Sequence, residues 1–308
     1  MRGSRENSGF VLLLVLLVLA VSGTVLAAAA RRSGLEALRA HGAQRDLQLR
    51  WGTLSCRTTV LSDTRAEDLL WGQATPEEPI VMEARADVTL GGVRFVLIVG
   101  DELAKANANY LADIKGPAGL TIALRNMQME DDATIGVELR PSSETVIEGD
   151  DWPIRYHSFD QLLELRSPEQ LVGNVDGEGG SSLRRCLTCW GSGKLNVMRA
   201  EIPAMQAVLG DLLNDSQLTV VDGHRMVLAR EALAANKTEL KVPPFEIWRR
   251  MNLPEGLRSQ LDSRSLGESD CHSLWVIVED RTRNWYRFYV EQSAASAGAG
   301  GTQRNFAW

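Results

Sequence analysis

Cysteine and histidine are scarce in this sequence, with four residues of each among 308. Four cysteines are too few for a disulfide scaffold in a chain of this length, so a hydrophobic core must hold the fold together. The histidines are not arranged in an H-E-x-x-H spacing, and the sequence contains no G-x-S-x-G segment. We therefore expect a protein that is not an enzyme and that has no evident cofactor.

The chain also lacks an excess of positive charge. Its 33 basic and 40 acidic side chains give a net charge of -7. Affinity for nucleic acids comes from Lys and Arg side chains that neutralise phosphates, so we expect no nucleic-acid partner. The sequence contains no internal repeat, coiled-coil heptad or basic run, and the glycines before Lys194 do not have the spacing of a phosphate-binding loop.

One long apolar run lies near the N-terminus. Residues 10–30 carry no charge and are mostly Leu, Val and Ala, and about 20 such residues cross a bilayer as a helix. Three interpretations compete: a permanent membrane anchor, a secretory signal cleaved after the alanines at 27–30, and a prepilin-type leader that ends at Gly9 and is followed at once by Phe10. Two arginines precede the run and two follow it, so charge does not favour a cytoplasmic N-terminus.

The remaining sequence mixes helical and strand patterns. Spaced leucines among charged residues predict that residues 34–50 continue as an amphipathic helix. A β-hairpin is predicted at residues 80–101, with the two-residue turn Gly91-Gly92, and a second one at residues 273–290. We expect an α+β fold in which these hairpins form an antiparallel sheet. Other predicted features are helices near residues 156–165, 202–213 and 224–235, a loop at 176–182 and a flexible glycine-rich tail at 293–308.

Two polar segments accompany the predicted strands and helices. The sequence GDELAKANAN at residues 100–109 follows a strand, and WGSGKLNVMRA at residues 190–200 has the composition of a tight loop before a helix. The first segment contains four carboxylate and amide side chains of the kind that cap helices and bond turns: Asp101, Glu102, Asn107 and Asn109. A cation site formed by the carboxylates is the alternative.

The four cysteines leave several chemistries open. Cys186 and Cys189 form a C-x-x-C pair, and together with Cys56 and Cys271 they can form structural disulfides in an oxidising compartment. Free thiols, a redox site, and a zinc site completed by Cys271 and His272 are the alternatives. The spacing does not choose among the pairings.

Three segments together resemble the GspK (general secretion pathway protein K) family, which are minor pseudopilins of type II secretion systems. The first is the leader and apolar run around Gly9 and Phe10, with Leu14 rather than Glu at the fifth position after the glycine. The others are residues 99–109, similar to a D-E-x-x-K-x-N-x-N stretch, and residues 191–209, similar to an S-x-K-x-N-x-N-T-A stretch before a helix, although Met198 and Arg199 replace its Asn and Thr. The motif residues are Asp101, Glu102, Lys105, Asn107, Asn109, Lys194 and Asn196.

The resemblance implies a pilin-like α+β fold, in which a long N-terminal transmembrane helix packs on an antiparallel sheet that carries an inserted helical subdomain. Its parts would be a leader at 1–9, a transmembrane helix at 10–30, a stem helix and the first part of the sheet domain at 31–109, a mainly helical insert at 110–265, a C-terminal hairpin at 266–292 and the tail at 293–308. A prepilin peptidase would cleave after Gly9, and Phe10 would be N-methylated.

The resemblance also implies a place in the cell. The protein would cross the bacterial inner membrane once, with a cytoplasmic N-terminus and a periplasmic soluble domain. Its partners would be other minor pseudopilins and the inner-membrane platform of the secretion system, and it would act at the tip of the pseudopilus. Calcium binding is implied by the resemblance alone. An exported soluble protein with a cleaved signal, or a type IV minor pilin, are the alternatives.

Overall fold

The computed structural model describes residues 6–61, 65–128, 138–140, 147–148, 153–154, 156–173, 182–235, 237, 241–279, 284–292 and 303–307. Contacts divide the chain into two compact units, residues 1–52 and 53–308, and each is described by itself.

Helix α1 spans Glu6–Val60 without interruption. Its most apolar stretch of 18 residues has a mean hydropathy of 2.9, and none of that stretch is buried. The helix is therefore long and apolar enough to cross a membrane, although a signal sequence at the N-terminus would have the same properties. The predicted continuation of the apolar run into a helix over residues 34–50 is confirmed. Residues 1–5 of the predicted leader lie outside the described residues.

The second unit combines short helices with strands. The helices that follow α1 are α2 (Arg65–Gly72), α3 (Ala108–Gln128), α4 (Phe159–Leu162), α5 (Glu169–Val172), α6 (Ser182–Cys186), α7 (Ile202–Leu209), α8 (Asp215–Ala234), α9 (Phe245–Arg250) and α10 (Glu255–Arg264), with a 3-10 helix at Glu102–Ala104. The strands are β1 (Glu83–Leu90), β2 (Val93–Asp101), β3 (Ala106–Asn107), β4 (Glu138–Leu139), β5 (Ile147–Glu148), β6 (Pro153–Ile154), β7 (Leu163–Glu164), β8 (Leu187–Thr188), β9 (Leu195–Asn196), β10 (Ser265–Leu266), β11 (Cys271–Val278), β12 (Trp285–Gln292) and β13 (Gln303–Ala307).

The main sheet has five antiparallel strands in the order β1-β2-β11-β12-β13. Gly91 and Gly92 join β1 to β2 with φ angles of 58° and 80°. Two positive φ angles are what a tight hairpin turn of the right twist requires, and glycine reaches them without steric cost. Both predicted hairpins and the antiparallel sheet are confirmed, and the fold is α+β with a long apolar N-terminal helix.

Part of the predicted flexible tail forms a strand. Residues 303–307 form β13 and pair with β12, so the prediction of a flexible tail is wrong for them. Without β13, strand β12 would leave a row of unpaired backbone groups at the edge of the sheet. Residues 293–302 of that predicted tail lie outside the described residues.

Helix boundaries between β2 and β11 differ from the predicted ones. The helix expected over residues 156–165 is limited to α4, because the chain turns into β7 at Leu163. Helix α7 ends at Leu209 rather than at residue 213. The helix expected over residues 224–235 is the second half of α8, which begins earlier because Asn214 and Gln217 form a capping box there. Of the predicted loop at 176–182, only Ser182 is described, and it starts α6.

One hydrophobic core joins the sheet to these helices. Four aromatic rings lie at its centre, and their centroids are between 4.6 and 5.8 Å apart: Phe159, Trp190, Trp275 and Phe288. Such distances are typical of favourable aromatic pairs. On the other face of the sheet, the Arg57 guanidinium near the end of α1 lies 5.3 Å from the ring centroid of Tyr289. The sheet is therefore covered on both faces.

Candidate functional site

The two polar segments noticed in the sequence meet inside the second unit. Asp101 ends β2 and is fully buried. Its Oδ1 accepts hydrogen bonds from the backbone N–H groups of Leu103 at 2.9 Å and Ala104 at 3.2 Å, and thereby caps the 3-10 helix. Its Oδ2 accepts a hydrogen bond of 2.8 Å from Nδ2 of Asn196. One carboxylate thus joins the end of β2 to the loop before α7.

Glu102 and Lys105 form an ion pair inside the protein. The Lys105 ammonium contacts Oε1 of Glu102, while the Thr188 hydroxyl donates to Oε2 of the same carboxylate. The side chains of Glu102 and Lys105 are at most 3% exposed. A charged pair that far from water is tolerated only when hydrogen bonds satisfy it, and Thr188 supplies one of them.

Two asparagines bind further segments to the same place. Asn107 caps α3, because its Oδ1 accepts from the N–H groups of Asn109 at 2.9 Å and Tyr110 at 3.2 Å. Its Nδ2 donates to the carbonyl of Trp190 at 2.7 Å. The Asn109 amide makes two bonds with the backbone of Tyr156, at 2.9 and 2.8 Å, as a neighbouring strand would. The predicted capping and turn-bonding roles are therefore confirmed for Asp101 and Asn107.

Arg199 is the residue of this network that the sequence did not reveal. Its Nη1 donates to the carbonyl of Val81 at 2.7 Å, its Nη2 donates to Oε1 of Glu67 at 2.5 Å, and its Nε lies 3.9 Å from Oδ2 of Asp101. The other oxygen of Glu67 is 3.3 Å from Nε2 of His272. A guanidinium at 2% exposure thus connects α2, the segment before β1 and the end of β2. The only signal in the sequence was an arginine in a segment otherwise rich in small and apolar residues.

Burial and the positive charges of the network act against each other on the pKa of both carboxylates, and the balance differs between Asp101 and Glu67. Burial raises the pKa of Asp101, although His272, Arg199 and Ser269 favour its ionised form. Burial also opposes ionisation of Glu67, but there the hydrogen bond from His272 and the nearby charge of Arg199 outweigh it, so the pKa of Glu67 is lowered. The two acids therefore respond differently to pH even though both contact Arg199.

Lys194 does not join this network, in contrast to the other motif residues. It is exposed on the loop that precedes β9. In that loop Gly191 has a φ of +88°, and a Cβ atom there would lie 2.4 Å from Cδ2 of Leu103. Glycine is therefore required both by the backbone conformation and by the close approach of the 3-10 helix.

All four cysteines are buried and reduced in the structure: Cys56, Cys186, Cys189 and Cys271. Burial, and then the charge of Glu102, raise the pKa of Cys189 and Cys271 well above the ordinary thiol value. A raised pKa makes these thiols poor nucleophiles in the folded protein. The disulfides predicted from the sequence stay a prediction.

The proposed zinc ligands do not converge in the described part of the chain. His272 contacts Glu67, and the described residues contain no group of three or more His, Cys, Asp or Glu side chains arranged to hold a metal ion. Calcium binding, which the family resemblance implied, stays a prediction without an assigned site.

A separate open cleft of about 580 Å³ lies between α3, α7 and the start of α8. Lys115 lines it, and Arg264 binds Asp211, which is another of its lining residues. The Lys115 ammonium donates to the carbonyl of Ala207 at 2.5 Å, and burial lowers its pKa. Arg264 makes two bonds of 2.7 Å to the carboxylate of Asp211.

Comparisons with known proteins leave the family of the chain open. No protein-family model matches the sequence, and no curated protein matches it. The resemblance to the GspK family therefore stays a prediction that depends on the three segments described above. What the geometry itself supports is a structural role for the motif residues other than Lys194, since they are buried and bonded to other segments of the fold.

Proposed function

We propose that this chain is a minor pseudopilin of a type II protein secretion system, placed at the tip of the pseudopilus, where it helps to initiate or cap assembly during protein export. One observation carries the proposal. The uncharged run at residues 10–30 begins directly after Gly9 and lies exposed on a single helix, α1, that continues to Val60.

The exposed run supports a membrane location. At 1.5 Å per residue, the 21 residues from 10 to 30 extend about 31 Å, which is close to the hydrocarbon thickness of a bilayer. Leaving such side chains in water costs about 25 cal/mol for each Å² of apolar surface, so lipid or the helices of other subunits would cover them. In the proposed topology the N-terminus is cytoplasmic and residues 53–308 are periplasmic.

The position of the buried network supports the family resemblance. Between β2 and β11 the chain is mainly helical, as an inserted region of a pilin-like fold would be. The bonds from Asp101 to Asn196 and from Asn107 to Trp190 connect the end of β2 with a loop deep inside that region. Asp101, Asn107 and Asn196, which carry part of the resemblance, thus fix the helical region to the sheet, which gives a physical reason for their chemical type.

Leu14 supports the placement at the tip. In pseudopilins that have a glutamate at the fifth mature position, the carboxylate would meet the N-terminus of the next subunit. A subunit at the tip has no neighbour above it and needs no such carboxylate. The bulky helical region would also oppose the addition of a subunit on top. If pseudopili of normal length formed, and secretion continued, in cells that lack this protein, the placement would be wrong.

The deciding experiment is intact and N-terminal peptide mass spectrometry on the full chain extracted from its native membrane. A mature chain that starts at a methylated Phe10 is the expected result. The variant Gly9→Leu should retain the leader, whereas the matched control Gly23→Leu, whose position in the apolar run has open space around it, should be processed normally. An N-terminus near Arg31 would instead identify an exported soluble protein, and an uncut Met1 would exclude leader processing.

The type IV minor pilin is the remaining alternative, because it would be processed in the same way. Deletion of the gene separates the two machineries. Loss of protein export with intact surface pili supports the proposal, and loss of pili with intact export contradicts it.

A further inference from the structure

Strand β1 forms one edge of the main sheet, and no strand pairs with its outer side in the described part of the chain. In an antiparallel ladder, alternate residues direct their N–H and C=O groups toward the neighbouring strand and away from it. Both backbone groups of Arg85 bond to a side chain outside the sheet, so Arg85 faces outward. Asp87 and Thr89, two and four residues further along β1, face outward as well.

The side chain of Gln73 occupies the strand-pairing position at Arg85. Its Nε2 donates to the carbonyl of Arg85 at 2.8 Å, and the N–H of Arg85 donates to its Oε1 at 3.3 Å. These are the two bonds that a residue of an adjacent antiparallel strand would exchange with Arg85. Gln73 therefore substitutes for one residue of a missing strand.

Beyond Arg85, the outer side of β1 is open for strand pairing at Asp87 and Thr89. Apart from the pairing with β2, no hydrogen bond involves the backbone of Asp87 or Thr89 among the described residues. At the start of β1, the carboxylate of Glu83 is held by the Arg184 guanidinium at 2.9 and 2.6 Å, so α6 covers that end. Strand β13 forms the opposite edge of the sheet. An edge with unpaired groups is a template for another strand, and here Gln73 blocks its middle.

We propose that the β1 edge is a pairing surface for the same edge of a second copy of this chain, and that Gln73 keeps it closed. The sequence of the edge suits a two-fold antiparallel arrangement centred on Ala86. In this register Arg85 lies opposite the partner's Asp87, and Asp87, whose Oδ2 also accepts a hydrogen bond of 3.2 Å from Arg94 of its own chain, lies opposite the partner's Arg85. Opposite charges directly across two strands stabilise pairing, and the alanine on the axis is small enough for the close approach of that position. The contact is isologous, so it closes at a dimer. The inference does not depend on the proposed function.

The test uses the full chain in detergent micelles and measures its protein mass against concentration by size-exclusion chromatography with light scattering. Gln73→Ala is compared with Gln260→Ala, which removes an exposed glutamine from α10. Removal of two competing hydrogen bonds should tighten dimerisation by about tenfold in the first variant and should not change it in the second. Association through α1 would contribute equally to both variants.

A second substitution identifies the surface. In Gln73→Ala/Asp87→Arg, arginines at 85 and 87 face each other across the axis, so the gain in dimerisation over wild type should be lost. Hydrogen exchange at the Arg85 amide supplies an independent measurement, because the amide should exchange faster in dilute, monomeric Gln73→Ala than in wild type. If Gln73→Ala exposes this amide but stays as monomeric as wild type, or if its dimer survives Asp87→Arg, the inference is wrong.

Discussion

Replacement of Arg199 by methionine tests whether the buried network holds the second unit together. Methionine has a similar length but cannot donate to Val81, Glu67 or Asp101, so two acids and a carbonyl lose a partner. Removal of one member of a buried ion pair costs about 3–5 kcal/mol. The Glu67 side chain is 18% exposed, so water replaces part of the lost interaction, and we expect a loss near 3 kcal/mol in the free energy of unfolding.

The assay is urea denaturation of the full chain in detergent, followed by tryptophan fluorescence. With a denaturant slope of about 3 kcal/mol per M, the Arg199→Met midpoint should fall by roughly 1 M. The control is Arg249→Met, because Arg249 pairs with Glu246 at 2.7 Å while 67% of its side chain is exposed. Surface pairs of that kind contribute at most about 1 kcal/mol. Equal midpoints for the two variants would refute the reasoning that the guanidinium holds these segments together.

Three further predictions follow from the same region. Because the pKa of Glu67 is lowered in the folded protein, its ionised carboxylate stabilises the fold above an unfolded pKa of about 4.3, and this stabilisation is lost as the pH falls. Glu67→Gln should therefore lower the free energy of unfolding at pH 7. The difference between variant and wild type should close below about pH 4 in urea titrations. Gly191→Ala should lower the free energy of unfolding by about 1–3 kcal/mol, because the position has a positive φ and the added Cβ would clash with a leucine of the 3-10 helix. The control Gly223→Ala, which has open space around it on α8, should raise the free energy of unfolding by up to about 1 kcal/mol. Thermal melts measure both changes. Cys189 and Cys271 should resist alkylation in the folded protein and react once it is unfolded, and an intact mass lower by about two hydrogens without reductant would instead show a disulfide.

The sheet could be predicted because its signals are local. Alternation along β1 and the Gly91-Gly92 turn specify a hairpin within about 20 residues, and glycine at both turn positions matches the observed positive φ angles. The long apolar helix was equally evident from composition alone. By contrast, β13 depends on an edge that only the folded sheet presents, so the small and polar residues of the tail gave no indication of it.

The buried network could be predicted only in part. Asp101 and Asn107 cap elements that follow them directly, and caps are readable from residue type and position. The partners of Arg199 lie on α2, before β1 and at the end of β2, so nothing adjacent to Arg199 in the sequence indicated that its guanidinium is buried. Lys194 belongs to the same motif but is exposed. It follows Gly191 and Gly193, which both have a positive φ, and directly precedes β9, so it lies in the turn of the loop.

The adjacency of β2 and β11 has a consequence for how the chain reaches its native state. Val99 pairs with Leu274, yet the whole helical region is synthesised between them. Folding that depends on contacts so distant in the sequence is slow, since closing a long loop precedes any gain from the pairing. The β1–β2 hairpin, whose second strand is buried from Phe95 to Asp101 in the native sheet, therefore waits with an apolar edge exposed while the rest of the chain is synthesised. During that interval a chaperone or rapid condensation of the helices must protect it from aggregation.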